Sequence, residues 1–176
     1  MTRWPAECFD GDASPAAKVG FSERQLVLNR CRVVIVDDDP AIRVGLRSIL
    51  ESSGIEIAAE ADNGRSGIEQ SQLFSPELIL LDVSMPGMGG FAAARELRVL
   101  VPSLRIIFVS QYSDPAYAEE ALELGGSGYV VKGTAGTELT VAVDAVMAGG
   151  TFVSPKARRG KTSSTWRSSQ AGGSGY

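Results

Sequence analysis

The sequence predicts an α/β domain, a doubly wound parallel sheet with helices on both faces. Three observations carry this. Five short apolar runs alternate with segments of helical period. The runs are apolar on both faces, as strands buried between two helical layers must be, and do not alternate as half-wet strands do. Four of the runs close on polar residues (Asp37-Asp38, Asp82, Ser110 and Lys132), and open α/β sheets place their ligand sites at the carboxyl ends of strands.

Taken in order, residues 1–20 mix Pro, Gly, Asp and Ala without a period and read as a loose extension. Residues 21–30 fit a short helix or a poor strand equally. Residues 32–36 form a strand, β-branched after Arg32, that ends in Asp37-Asp38-Asp39. Pro40 suits the first position of a helix with Asp39 as its cap. Ile42, Leu46, Ile49 and Leu50 recur at helical spacing, and Gly54 is placed to stop the helix. Residues 55–59 read as a strand, Asp62-Asn63-Gly64 as a turn and 65–74 as a short helix. The run from Leu78 to Leu81 is the most apolar; it ends in Asp82, and Pro86-Gly87 turns the chain. Residues 91–100 are helical, 104–109 a strand ending in Ser110. Asp114-Pro115 opens a helix that stops at Gly125-Gly126, residues 128–131 make a strand closed by Lys132, and Gly136 or Thr137 opens a last helix running to Gly149-Gly150. The domain is thus expected over residues 31–150. Residues 151–176, rich in Ser, Gly, Thr and basic side chains, are expected to be a disordered tail.

Composition narrows the chemistry. The chain has no histidine. That excludes Ser-His-Asp and Cys-His nucleophiles, the usual zinc sites, and any role as a histidine phosphodonor. Its cysteines, Cys8 and Cys31, form no CxxC pair, so neither a disulfide framework nor a zinc site is expected. Neither a membrane span nor a signal peptide is legible, and a cytoplasmic location is expected. The net charge of −4 conceals an asymmetry: residues 155–176 carry five Lys/Arg and no Asp/Glu, leaving an acidic body with a basic tail.

The remaining polar residues suit phosphoryl chemistry. In a parallel sheet the strand ends share one edge, so Asp37, Asp38 and Asp82 converge and repel one another. Mg2+ relieves such repulsion, takes one or two carboxylates and leaves room for a phosphate oxygen. Lys132 adds a compact positive charge, Ser110 a hydroxyl donor, and Asp82 a carboxylate nucleophile. Each residue alone has a plainer reading. Asp82 could end a strand, Asp39 could be only a cap, Lys132 a solvated loop lysine, Ser110 a strand terminus and Tyr129 core. The functional reading rests on their occurring in order, each closing a buried strand.

Val34-Ile35-Val36-Asp37-Asp38, Leu80-Leu81-Asp82-Val83-Ser84-Met85-Pro86-Gly87, Val109-Ser110 and Gly128-Tyr129-Val130-Val131-Lys132 together resemble the receiver domain of bacterial two-component response regulators. The resemblance covers roughly residues 31–150. Gly149-Gly150-Thr151-Phe152 resembles the receiver exit of regulators that carry a C-terminal helix-turn-helix domain, which the 26 residues after Gly150 cannot form. It implies a flavodoxin-like sheet of order 2-1-3-4-5, a fold for which a chemotaxis receiver is a standard example. It also implies that Asp82 accepts a phosphoryl group from a histidine kinase or phosphotransfer protein. Asp37 and Asp38 would hold Mg2+ with the backbone carbonyl of Ser84, Lys132 would pair with the phosphoryl group, and Ser110 and Tyr129 would form the switch. Three positions depart from the family's habit: Gly89 in place of a frequent acid, Gln111 in place of a smaller residue, and Gly133 in place of a frequent proline. Two further readings compete, a Mg2+-dependent phosphohydrolase with an aspartyl nucleophile and a truncated transcription regulator. The first is disfavoured by Ser84, which stands where that class places a second acid. A nucleotide-binding protein lacks support, since neither a Walker A nor a GxGxxG motif is present. As for partners, Val141, Ala145 and Ala148 make a second apolar stripe on the last helix and suggest a homodimer. No specific nucleic-acid binding is expected of this chain alone.

Overall fold

The computed structural model describes residues 31–158. The expected loose extension over residues 1–20, the undecided stretch 21–30 and residues 159–176 lie outside them. Six strands form one parallel sheet: β1 (Arg32–Val36), β2 (Glu56–Ala61), β3 (Leu78–Asp82), β4 (Arg105–Ser110), β5 (Gly128–Val131) and β6 (Phe152–Val153). Their order is β2-β1-β3-β4-β5-β6. The helices are α1 (Pro40–Ser52), α2 (Gly64–Phe74), α3 (Gly90–Leu100), α4 (Pro115–Glu123) and α5 (Ala135–Met147).

β3 shows why the sheet is doubly wound. Every residue of it is buried. Side chains alternate across a strand, so Ile79 and Leu81 enter the layer under α2, α3 and α4, while Leu78 and Leu80 enter the layer under α1 and α5. A strand wetted on neither face must be apolar at every position, which is the pattern its sequence carries. Each such fully buried Leu or Ile stabilises the fold by about 2 kcal/mol.

The helix starts follow from local chemistry. The Asp39 carboxylate accepts from the backbone amides of Ala41 and Ile42 at 2.8 and 3.4 Å. Asp114 does the same for Ala116 at 2.9 Å, and Asn63 for Ser66 at 2.9 Å. Each satisfies donors the helix itself leaves unpaired. All three caps follow strand ends at the carboxyl edge of the sheet, so capping also fixes how the chain leaves the sheet there.

Two elements differ from the sequence reading. The sheet has six strands, not five, and residues 151–158 belong to the fold. Phe152 and Val153 pair in register with Gly128 and Tyr129, and a 3-10 turn (Pro155–Ala157) follows. Ser154 secures the segment: its amide donates to the Tyr129 carbonyl at 2.8 Å and its hydroxyl accepts from the Val131 amide at 2.9 Å. A two-residue strand has no period to read. The last helix also begins earlier than Gly136 or Thr137, because a 3-10 turn over Lys132–Thr134 feeds directly into Ala135.

Candidate functional site

The site is built on the carboxyl ends of β1, β3, β4 and β5. The end of β1 delivers Asp37, fully buried, and Asp38, exposed. β3 delivers Asp82, 3% exposed. One carboxylate oxygen from each of Asp37, Asp38 and Asp82 can be chosen so that all lie within 4.8 Å of one another. Lys132, the first residue past β5, reaches over this group. Its Nζ is 2.6 Å from Asp37 Oδ2 and 2.9 Å from Asp82 Oδ2.

Backbone contacts hold the acids in place. Asp37 Oδ1 accepts from the Asp39 amide at 2.9 Å, and Asp82 Oδ1 from the Ser84 amide at 3.3 Å. Asp37 Oδ2 is in ion-pair contact with the lysine but accepts no aligned hydrogen bond, and it is sealed from solvent. A buried carboxylate oxygen with spare accepting capacity, beside two more carboxylates, is the donor set a hard divalent cation requires. Oxygen ligands with one exposed member, Asp38, suit Mg2+, which keeps several of its waters.

Electrostatics follow from burial and excess charge. Desolvation pushes the Asp82 carboxyl above its ordinary 3.8; the hydrogen bond and charge of Lys132 oppose this, and Asp37 adds to it. For Lys132, burial disfavours the ammonium, but its close contacts with Asp37 and Asp82 and their negative charge outweigh it and raise the value above 10.5. One lysine against three carboxylates leaves the cluster anionic without a further cation.

Ser110 ends β4 fully buried and Tyr129 lies fully buried in β5. Tyr112, which the sequence reading passed over, joins them. Its amide donates to Ser110 Oγ at 3.1 Å, and its carbonyl accepts from the Tyr129 hydroxyl at 2.9 Å. Its ring stacks on Tyr117 with centroids 4.5 Å apart and 10° between planes. Hydrogen bonds with Ser84 and then Gln111 hold the Tyr112 phenol below its ordinary value. The β4–α4 loop is therefore tied to Ser110 at the site and to Tyr129 in β5.

Two more residues escaped the sequence reading. Arg43 Nη1 donates to the Asp37 carbonyl at 2.6 Å, fixing the β1 exit from α1. Gly90 lets α3 start against β3: its amide donates to the Val83 carbonyl at 3.0 Å, and a Cβ there would fall inside contact of the Asp82 carbonyl oxygen. The adjacent glycines Gly89-Gly90 were the available signal.

The first five strands keep the order 2-1-3-4-5, and with helices on both faces this places the fold in the flavodoxin-like class. Within that class the chain belongs to the response regulator receiver domains, whose family model matches residues 33–144. The response regulator GacA of Pseudomonas viridiflava is 31% identical over 126 residues, 71% of this chain and 59% of that protein. The transcriptional regulatory protein DegU of Brevibacillus brevis is 32% identical over 129 residues, 73% of this chain and 55% of that protein. The chain thus spans under two thirds of the length of these curated relatives. A crystal structure of a LuxR-family two-component response regulator from Aurantimonas sp. SI85-9A1 superposes with a TM-score of 0.69 at 33% identity, covering 72% of this chain and 91% of that one. The isolated receiver domain of RcsB from Salmonella enterica serovar Typhimurium, solved with the phosphomimetic BeF3-, gives 0.68 at 27% identity, covering 73% and 96%.

Proposed function

We propose that this receiver takes a phosphoryl group onto Asp82 from a histidine kinase or phosphotransfer protein. The single observation that carries the reading is Lys132 Nζ bridging Asp37 and Asp82 at 2.6 and 2.9 Å within a buried acid cluster. An Asp82 oxygen attacks phosphorus, the P–N bond to the donor imidazole breaks, and the imidazole leaves with a proton. Asp37, Asp38, Asp82 and the Ser84 carbonyl would hold Mg2+. When bound, Mg2+ neutralises the negative charge shared between the carboxylates and the incoming phosphoryl oxygens. Lys132 exchanges its contact with Asp82 for one with the phosphoryl group. Ser110 turns its hydroxyl toward the new oxygens and drops the Tyr112 amide, which loosens the Tyr112 carbonyl from the Tyr129 hydroxyl. That local rearrangement is the switch.

The reading also includes partners and place. Val141 is 53% exposed on α5, opposite the stripe of Leu139, Ala142, Val143 and Val146 that enters the core, and offers itself to a second copy. All five described helices pack on the sheet, so none is free to enter a DNA groove in the manner that sequence readout requires. Among the described residues no helix is long and apolar enough to cross a membrane, which accords with action in the cytoplasm.

Acetyl phosphate with Mg2+, followed by intact mass, tests the core of this. One phosphoryl adduct per chain is expected, absent without Mg2+ and absent from Asp82→Asn. An adduct that persists in Asp82→Asn refutes the assignment. For the partner surface, Val141→Glu should lower self-association in sedimentation without changing the fold, and a wild type that stays monomeric at high concentration argues against it.

A further inference from the structure

The body of the chain is acidic and its C-terminal segment basic, and the structure shows where the two meet. The described chain ends at Arg158, which lines a groove of about 310 Å3 between α4 and the β6 segment. Pro115, Ala118, Leu122 and Val153 give that groove an apolar floor, and Glu119 stands on its rim. One turn further along α4 is Glu123, and both glutamates are exposed. Among the described residues neither has an ion-pair partner, whereas Glu120 pairs with Arg95 at 3.6 Å. Two like charges at i and i+4 on a helix repel, so a cation brought to them relieves an existing cost.

The segment that leaves this groove has the matching chemistry. Residues 159–176 hold Arg159, Lys161 and Arg167, no acid, and a single tryptophan, Trp166. Trp166 lies eight positions beyond Arg158. An unconstrained chain of that length spans on average about 16 Å. A nine-residue helix such as α4 is about 14 Å long. The indole can therefore reach any point of the groove, and the basic residues flanking it can reach Glu119 and Glu123.

We infer that residues 159–167 fold back in cis onto α4, with Trp166 on the apolar floor between α4 and β6 and Arg159, Lys161 and Arg167 against Glu119 and Glu123. The occupant is this chain's own segment because it emerges at the groove already tethered. A short tether supplies a local concentration in the millimolar range, so a contact too weak to form between molecules is held within one. The inference stands apart from phosphoryl transfer: it concerns α4 and β6 and uses none of the residues at the carboxyl edge.

Acrylamide quenching of Trp166 tests it, in the full chain carrying Trp4→Phe so that one tryptophan reports. A contact of millimolar strength is about half formed at that local concentration, so quenching should be about twofold weaker than in a triple variant Arg159→Glu/Lys161→Glu/Arg167→Glu. Protection should fade as added salt shortens the screening length from about 10 Å at 0.1 M to about 3 Å at 1 M. Glu119→Arg/Glu123→Arg should abolish it, and combining both charge reversals should restore it. If the α4 variant does not fold, the tail variant, altered only outside residues 31–158, decides the matter alone. Equal quenching in wild type and tail variant overturns the inference. So does protection that grows with protein concentration, which would assign the groove to a neighbouring copy, or protection seen only with duplex DNA.

Discussion

The two edges of the sheet treat charge in opposite ways. At the amino edge Arg32 and Glu77 face each other at 3.9 Å, with side chains 38% and 39% exposed. The pair is neutral, wet and local. At the carboxyl edge Asp37 and Asp82 are buried, Asp38 is close by, and one lysine serves all three. The first arrangement is what a fold tolerates anywhere on its surface. The second is costly unless something else supplies positive charge.

The sharpest way to break the contrast is Lys132→Ala. It strands two buried carboxylates, and unfolding in urea without Mg2+ should show a loss of about 3 kcal/mol. Mg2+ should return part of that loss in Lys132→Ala; a variant as stable as wild type without Mg2+ would mean the acids tolerate one another unaided. A smaller effect is expected from pH. Folded Asp82 holds its proton at pH values where the unfolded chain has released it, because burial raises its value above 3.8. Its contribution is thus full below 3.8 and is lost as pH rises through the folded value. Relative to wild type without Mg2+, Asp82→Asn should therefore gain stability as pH rises from 3.8 through the folded value, and an opposite trend would show that Lys132 dominates.

Asp39 sharpens the comparison from within one tripeptide. It caps α1, so Asp39→Ala should cost about 1 kcal/mol by thermal or urea unfolding while leaving acetyl phosphate labelling intact. Loss of labelling at unchanged stability would move Asp39 into the site. Smallest of all, Arg32→Ala at the amino edge should change stability by no more than about 0.5 kcal/mol, and less still in high salt.

What the sequence made legible was whatever lies in side-chain pattern. The five long strands, the caps at Asp39 and Asp114, and the convergence of Asp37, Asp38, Asp82, Ser110 and Lys132 on one edge all follow from runs and their ends. What it hid works through the backbone. Tyr112 acts by its amide and carbonyl, Arg43 by gripping a carbonyl, and Gly90 by the absence of a side chain. Such roles depend on the path of distant segments and leave no residue-type signature. β6 was missed for a related reason: its place is set by the Ser154 hydroxyl and amide, whereas Phe152-Val153 alone is too short to carry a pattern.

That same short strand decides where the chain can be cut. A strand at the rim of a sheet presents a row of unpaired backbone groups and invites pairing with other molecules. Here β6 lies along β5, and Ser154 closes the next amide, that of Val131. A fragment ending at Gly150, the boundary that helix and glycine signals suggest, would bare this rim beside Tyr129 and Lys132. Fragments made for crystallisation, fusion or display should run through Arg158, and those that stop short should be the ones that come out of solution.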